Sequence, residues 1–333
     1  MAVSRRRLMT LAGAAALAAP YVRADERKVR LIVGTQDIAL QETVNASKVL
    51  DGSPFDLQWA TLPGPAAQLS GLYSKAIDVG LMGDTSLIIE QGRARTDWTG
   101  SNQPLQIVAG WRNLDRAYPP IITAVRTAAN INTLADLRGK TWAFNFGGFN
   151  YLQYVLTRIK AGLKVSDIVP VQLVDTNAAA AAFNSGRADV FSGGPGPIIE
   201  ALNKGTARIL IISDDLDIPS LGVFTARADV LRDDAKSQAL ADFLNRVRLH
   251  WTWYANNLGA VERILVEKLK QTPDKAKYYA ASGASVFRPL DDDLMRHEQR
   301  IADVLFESKD INKKIDVNIE FSRRFNQATV QAS

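Results

Sequence analysis

The stretch from residue 134 to residue 197 alternates short apolar runs with helical patterns, and this alternation constrains the fold more than any other feature. It predicts strands at 141–146, 171–174 and 188–191, with a helix after each of the first two. Strands that alternate with helices of about 10–15 residues are typical of a parallel sheet with helical crossovers. Residues 29–111 show the same alternation, so we expect an α/β protein.

Two glycine pairs follow strands of this stretch, Gly147-Gly148 and Gly193-Gly194. In open α/β sheets, ligands bind beyond the carboxyl ends of the strands. Glycine lets backbone N–H groups approach a ligand closely, and a helix N-terminus favours negative charge. We expect close approach and a positive φ at Gly148. Taken alone, either pair is better explained as a tight strand-to-helix connection that contacts no ligand.

Residues 1–24 have the composition of an export signal. Arginines 5, 6 and 7 precede an alanine-rich apolar run, and Val22-Arg23-Ala24 offers small residues at a cleavage site. This order resembles a twin-arginine signal, and an ordinary secretory signal is the main alternative. The apolar run is shorter than the about 20 residues that span a bilayer. We therefore expect export and removal of residues 1–24.

Cysteine is absent, and the only histidines are His250 and His297. This composition excludes disulfides, thiolate chemistry and cysteine-based metal sites, and the two histidines are too far apart for a His-x-x-x-His site. The net charge of +5 falls to +1 without the four arginines of residues 1–24, and the remainder has no dense basic run. We expect no metal, no cofactor and no nucleic-acid partner.

Polar and glycine-rich turns also follow the strands predicted in the first hundred residues. Gln36 follows the first strand, Gly64-Pro65 opens the helix after the second, and Asp84-Thr85 opens the helix after the third. Asp84 or Thr85 could cap that helix by accepting hydrogen bonds from its free N–H groups. Contact with a ligand is the alternative for both residues, and the sequence leaves the choice open.

In their order, these motifs resemble the periplasmic substrate-binding proteins of the aliphatic sulfonate, taurine and nitrate ABC transport systems. The segments that carry the resemblance are LIVGTQ, WATLPGP, IDVGLMGDTS, INTLADLRGKTWAF and AAFNSGRADVFSGGPGP. They cover roughly residues 29–225. The resemblance implies a two-lobe (type II) binding protein, with each lobe a mixed, mainly parallel sheet flanked by helices. Lobe 1 would comprise residues 25–115 and 222–333, and lobe 2 residues 116–221.

The resemblance further implies a monomer that captures a small anionic or zwitterionic solute between its lobes and delivers it to a membrane permease. The ligand-binding positions that it implies in lobe 1 are Gln36, Gly64, Pro65, Asp84 and Thr85. Those that it implies in lobe 2 are Gly147, Gly148, Phe149, Asn150, Gly193 and Gly194.

Four helix N-termini, near residues 65, 85, 149 and 195, would then face one cleft and favour an anion. Asp37 and Asp84 would suit the ammonium group of a zwitterion such as taurine. Residues 191–195 depart from the family because they lack its usual tryptophan and acidic residue. We therefore expect a smaller or more open pocket floor at this point, with room for a bulkier ligand.

Two other functions are compatible with the same scaffold. A ligand-presenting sensory protein would have the same sequence features as a transport protein. Enzymes related to this fold include a sulfinate desulfinase and thiamine-precursor synthases, which the resemblance suggests would need cysteine. Because cysteine is absent, we expect a binding protein and no enzyme.

Overall fold

The computed structural model describes residues 28–330, and the predicted export signal lies outside them. The first part of the chain alternates strands and helices, as its apolar periodicity predicts. Its elements are β1 (Val29–Thr35), α1 (Ala39–Ser47), β2 (Phe55–Thr61), α2 (Gly64–Tyr73), β3 (Val79–Gly83), α3 (Thr85–Arg93) and β4 (Leu105–Asn113).

The middle of the chain continues this alternation and contains the stretch that dominates the sequence. Its elements are β5 (Ile122–Arg126), β6 (Thr141–Asn145), α4 (Phe149–Lys160), β7 (Val169–Leu173), α5 (Thr176–Asn184), β8 (Val190–Gly193), α6 (Ile199–Asn203) and β9 (Ala207–Ile212). After β8 the chain forms a 3-10 turn at Gly196–Ile198 before α6 begins.

The last part of the chain is mainly helical. Its elements are β10 (Gly222–Arg227), α7 (Ala228–Arg232), α8 (Asp234–Asn256), α9 (Leu258–Glu267), α10 (Pro273–Gly283), β11 (Ser285–Arg288), α11 (Asp292–Glu307) and α12 (Asn326–Thr329). Among residues 28–330, every helix is too short or too polar to span a bilayer.

The strands form two sheets, in the orders β11-β4-β10-β3-β1-β2 and β7-β6-β8-β5-β9. The first sheet with its helices is called lobe 1 below, and the second with its helices lobe 2. In both lobes three parallel strands, β2-β1-β3 or β7-β6-β8, are followed by a strand that pairs antiparallel on both sides, β10 or β5. The two-lobe α/β fold expected from the sequence is confirmed.

The sheets are mixed, as expected, but they are not mainly parallel, because four strand pairs are parallel and five are antiparallel. The reason lies in the crossovers. The chain passes from β4 into β5 and returns from β9 into β10. Each crossing strand therefore enters its new sheet in the opposite direction to its neighbours. Two strands, β5 and β11, were not predicted at all.

Each sheet is buried between helices. Strand β1 buries Leu31 and Val33, which pack in one cluster with Phe243 and Leu244 of α8. In lobe 2, α5 buries small alanines and Phe183 against Phe191 of β8. Burial on both faces explains why the central strands are nearly continuous apolar runs, and it fixes the strand ends that border the cleft.

Candidate functional site

A cleft of about 820 Å³ lies between the lobes and is lined by residues of both. Four helix N-termini contribute to its wall: Ile38–Leu40 at α1, Pro63-Gly64 at α2, Phe149-Asn150 at α4 and Asp175–Asn177 at α5. The first N–H groups of a helix have no intrahelical partner, and the helix dipole makes that end positive. The cleft therefore concentrates backbone donors at the junction of the lobes.

Two of these N-termini are occupied by side chains of the chain itself. Asp37 Oδ1 accepts a hydrogen bond from Ala39 N at 2.8 Å, and Asp175 Oδ1 accepts one from Ala178 N at 2.8 Å. Helices α2 and α4 have no side-chain cap. Proline at position 65 removes one donor from α2. In α4, Tyr151 N already donates to Gly148 O at 3.0 Å, so the N–H groups of Phe149 and Asn150 are the donors that this N-terminus offers.

Helix α3 does not line this cleft, contrary to the expected set of four N-termini. Asp84, immediately before it, is only 1% exposed. Its carboxylate accepts hydrogen bonds from Thr85 N at 2.7 Å, from Thr85 Oγ1 at 3.1 Å and from Leu221 N at 2.7 Å. Asp84 N in turn donates to Leu221 O at 3.0 Å. Asp84 thus caps α3 and holds the crossover that leads into β10.

A second carboxyl group lies against Asp84 inside lobe 1. Glu298 of α11 is fully buried, and burial together with the neighbouring carboxylate of Asp84 raises its pKa well above the usual range. Burial also raises the pKa of Asp84, while the hydrogen bonds from Leu221 and Thr85 oppose that rise. Because Asp84 accepts these hydrogen bonds and neither Glu298 carboxyl oxygen has a hydrogen-bond partner, protonation of the pair is favoured on Glu298.

The turn before α4 brings the two lobes together. Gly147 has a φ of 96°, whereas Gly148 has a φ of −155°. The positive φ expected at Gly148 is therefore at Gly147, where only glycine adopts it without strain. A Cβ atom at Gly148 would lie 3.4 Å from Pro65 Cγ and 3.5 Å from Ser86 Oγ, both in lobe 1. The expected close approach at Gly148 is thus made by the opposite lobe.

Gly64 makes a similar approach from the other side. Its φ is 78°, and a Cβ atom there would lie 2.9 Å from the Val174 carbonyl oxygen of lobe 2. Both the backbone conformation and the neighbouring lobe require glycine at this position. The two lobes therefore meet backbone to backbone beside the cleft.

The predicted ligand-binding residues separate into two groups in the structure. The cleft wall includes Gln36, Gly64, Phe149, Asn150 and Gly194. The remaining predicted residues, Pro65, Asp84, Thr85, Gly147, Gly148 and Gly193, do not line it. Among the wall residues, the Asn150 side-chain amide donates to Asn145 Oδ1 and Thr176 Oγ1, both at 2.7 Å. This network fixes the first turn of α4 relative to α5.

Sequence reasoning missed several side chains that reach the cleft from the helical end of lobe 1. Trp251, Tyr279, Lys268 and Lys275 all line it. Tyr279 lies against Gly196 of lobe 2, where a Cβ atom would approach its ring to 2.3 Å. The floor expected to be open after β8 is therefore covered by Tyr279. The helical periodicity around Trp251 indicates a buried face, but nothing in the sequence places this residue beside the glycine turns.

No group of three or more histidine, aspartate or glutamate side chains in residues 28–330 is placed to hold a metal ion. The charged side chains on the cleft wall are Asp37, Asp175, Lys268 and Lys275. These two acidic and two basic groups balance, so the side chains give the cleft wall no net charge.

Comparison with known proteins agrees with this geometry. The family described as NMT1/THI5 like matches residues 101–257. A protein of Escherichia coli (strain K12), whose name describes it as an aliphatic sulfonates-binding protein, is 25% identical over 272 residues, which are 78% of this chain and 77% of that protein.

Two solved structures extend the similarity to the fold. The periplasmic aliphatic sulphonate binding protein SsuA of Escherichia coli has a TM-score of 0.70 at 21% identity, covering 88% of this chain and 91% of that one. The alkanesulfonate-binding protein SsuA of Xanthomonas axonopodis pv. citri, bound to MOPS, has a TM-score of 0.74 at 20% identity, covering 90% and 99%. The chain thus has the fold of the periplasmic binding proteins, and its resemblance to the aliphatic sulfonate-binding members is confirmed.

Proposed function

We propose that this protein is a periplasmic solute-binding protein that captures a small anionic or zwitterionic organic solute between its lobes and delivers it to an ABC-type membrane permease. The observation that carries the proposal is the cleft of about 820 Å³ into which helix N-termini of both lobes point. The similarity to aliphatic sulfonate-binding proteins supports a sulfonate-like solute. Taurine and nitrate belong to the same class of small anions and zwitterions.

The uncapped N-terminus of α4 is the proposed anion site, because its N–H groups have no side-chain acceptor. Asp37 borders the same cleft and would face an ammonium group in a zwitterion. Asp84 is unsuited to binding an ammonium group, since it is buried and its oxygens accept hydrogen bonds from Thr85 N and Leu221 N. We retain Gln36, Gly64, Phe149, Asn150 and Gly194 as the proposed ligand contacts.

Export is part of the proposal. The three arginines and the alanine-rich run of residues 1–24 support a cleavable twin-arginine signal, and N-terminal sequencing of the mature protein should begin at Asp25. We further propose that lobe 1 comprises residues 25–115 and 222–333, that lobe 2 comprises residues 116–221, and that the protein acts as a monomer.

Catalysis is not part of the proposed function. The chain contains no cysteine. One of its two histidines, His250, is fully buried, and burial lowers its pKa to about 3. Such a group is neutral at physiological pH. A ligand-presenting sensory role would use the same cleft and differs only in the membrane partner.

The proposal is tested by ligand binding in two matched glycine variants. Gly64 and Gly52 both have a positive φ, of 78° and 69°, but only Gly64 faces the opposite lobe, and Gly52 has no neighbour within 4 Å. Alanine at either position carries the same kind of backbone strain. Only Gly64→Ala should in addition prevent the lobes from meeting.

We expect a thermal-shift screen of alkanesulfonates, taurine and nitrate to identify a ligand that stabilises the wild type. At 100 times its dissociation constant the stabilisation is about 2.7 kcal/mol. Gly52→Ala should bind that ligand as the wild type does, and Gly64→Ala should bind it at least tenfold more weakly. Equal affinity of all three proteins would remove the cleft from the binding reaction, and the absence of any bound anion would refute the proposed function.

A further inference from the structure

A smaller cavity of about 310 Å³ adjoins the cleft and shares Phe149, Trp251 and Tyr279 with it. Trp111 and Tyr278 complete a wall of five aromatic side chains, which we call the aromatic chamber. No aspartate, glutamate, lysine or arginine is among the described residues that line it. The chamber therefore differs in chemistry from the cleft, which carries all four charged groups.

Three rings of this wall occupy space that glycines of the chain leave free. A Cβ atom at Gly222 would lie 2.7 Å from the Trp111 ring, one at Gly196 would lie 2.3 Å from Tyr279, and one at Gly83 would lie 2.3 Å from Phe149. Real Cβ atoms do not approach so closely, so any other residue would displace each ring. The observed positions of these three rings therefore require glycine at residues 83, 196 and 222.

Contacts among aromatic side chains support the chamber from behind. Trp111 packs against Phe224 with ring centroids 4.8 Å apart, and Trp251 lies 6.2 Å from Trp111. Tyr278 meets Tyr118 edge to face at 5.7 Å. Rings packed in this way have few rotamers open to them, so the chamber is largely preorganised for a flat partner.

The dimensions of the chamber admit a ring. A cavity of about 150 Å³ lined by apolar side chains binds benzene, and the chamber is about twice that volume. An aromatic guest would gain edge-to-face or offset-stacked contacts that an alkyl chain of equal size does not make. Because Phe149 is both a wall of the chamber and the first residue of α4, a ring in the chamber lies beside the proposed anion site.

We propose that the solute is an aromatic anion, with its ring in the aromatic chamber and its sulfonate or carboxylate group at the N-terminus of α4. This inference rests on the proposed function and narrows its ligand class. The wall has no charged side chain and so selects against a charged tail, and the helix N-terminus binds the acidic group.

The test compares anions that share an acidic group and differ in whether their hydrocarbon part is aromatic or aliphatic. Benzenesulfonate is paired with hexane-1-sulfonate, and benzoate with cyclohexanecarboxylate, and dissociation constants are measured by calorimetry. We expect the aromatic member of at least one pair to bind tenfold or more tightly than its partner, with quenching of tryptophan fluorescence. Equal or tighter binding of the aliphatic members would overturn the inference and leave the proposed function intact. Failure of all four anions and of the small-anion screen would refute both.

Variants at Tyr278 locate the ring, because this residue lines the chamber and not the cleft. Tyr278→Leu should weaken binding of the preferred aromatic anion at least tenfold and change binding of its aliphatic partner less than threefold. Tyr278→Phe keeps the ring and should bind both as the wild type does. Tyr73→Leu, on the exposed surface of α2, is the control. If Tyr278→Leu retains wild-type affinity for the aromatic anion, the ring lies elsewhere and the inference is wrong.

Discussion

Two strand-to-helix turns, one in each lobe, differ in whether a side chain caps the helix that follows. The turn at Asp84 ends β3 and opens α3, and its carboxylate satisfies both that helix and the Leu221 amide. The turn at Gly147-Gly148 ends β6 and opens α4, which no side chain caps. A helix N-terminus that the chain has already capped is occupied by the fold, whereas an uncapped one beside a cleft remains available to a ligand.

This difference assigns stability to the first turn and binding to the second. Asp84 is buried beside a crossover between the lobes, so its replacement should lower the free energy of unfolding. Gly148 lies where the lobes meet, so its replacement should impair closure of the lobes around the ligand. Three variants test the assignment, in decreasing order of expected effect.

Replacing Asp84 should have the largest effect. Asp84→Ala removes a helix cap, typically worth about 1 kcal/mol, and leaves a buried Leu221 N–H without its partner, which costs about 1–3 kcal/mol more. We expect urea unfolding to show a loss of roughly 2–4 kcal/mol. Asp233→Ala, which removes an exposed cap that accepts only from Lys236 N at 3.0 Å, should lose about 1 kcal/mol.

Ligand affinity of the folded Asp84→Ala protein should stay within threefold of the wild type. A large loss of affinity at unchanged stability would mean that Asp84 contacts the ligand, and the contrast between the two turns would collapse.

Replacing Glu298 with glutamine should change the free energy of unfolding by an amount that depends on pH. Its raised pKa means that the folded protein retains a proton that the unfolded chain loses above a pH of about 4.5. The associated stability is fully present below that pH and declines as the pH rises towards the folded-state pKa, by up to about 1.4 kcal/mol per pH unit. Glu298→Gln is always neutral and keeps nearly the same side-chain shape.

The free energy of unfolding of Glu298→Gln should therefore gain on that of the wild type as the pH is raised from 5 to 7. Glu267→Gln, at an exposed position of α9, should follow the wild type at each pH. A constant difference between Glu298→Gln and the wild type would show that Glu298 does not hold the shared proton.

Enlarging Gly148 should have the smallest effect on stability and a selective effect on binding. Its φ of −155° is open to any residue, so the turn itself should fold normally. The two methyl groups of Gly148→Val would press on Pro65 and Ser86, because even a Cβ atom is already in contact with both. We expect affinity to fall more than tenfold, or about 1.4 kcal/mol, and the ligand-induced decrease in radius of gyration to disappear from solution scattering.

Gly148→Ala is the control, since distances of 3.4 and 3.5 Å are ordinary contacts, and it should bind as the wild type does. Normal binding and closure by Gly148→Val would reduce this turn to a strand-to-helix connection.

The sequence predicted the central strands well because they are buried on both faces and alternate with helices in chain order. It failed for β11, a four-residue strand at the edge of lobe 1 whose existence depends on pairing with β4. Such a strand is created by tertiary contact rather than by local preference. It also failed for β5, which begins at Ile122, shortly after Pro119-Pro120, because a proline pair is more typical of a turn than of the approach to a strand.

The sequence predicted which glycine turns border the cleft, but it did not predict the side chains that the helical end of lobe 1 contributes. Gly64 and Phe149 were found because turn chemistry is local and strand ends converge. Trp251 and Tyr279 were missed because helical periodicity tells which face of α8 or α10 is buried, and not which cavity that face borders. Asp84 kept two interpretations until its partner Leu221, far along the chain, was known.

Phe149 crosses from lobe 2 to lie on Gly83, and Tyr279 crosses from lobe 1 to lie on Gly196. As a consequence, the two lobes cannot evolve independently. A side chain gained at Gly83 must be matched by a smaller ring at position 149, and one gained at Gly196 by a smaller ring at position 279. A chimaera that takes one lobe from a relative receives only one residue of each pair. The glycine and the aromatic residue that faces it across the cleft therefore have to be exchanged together.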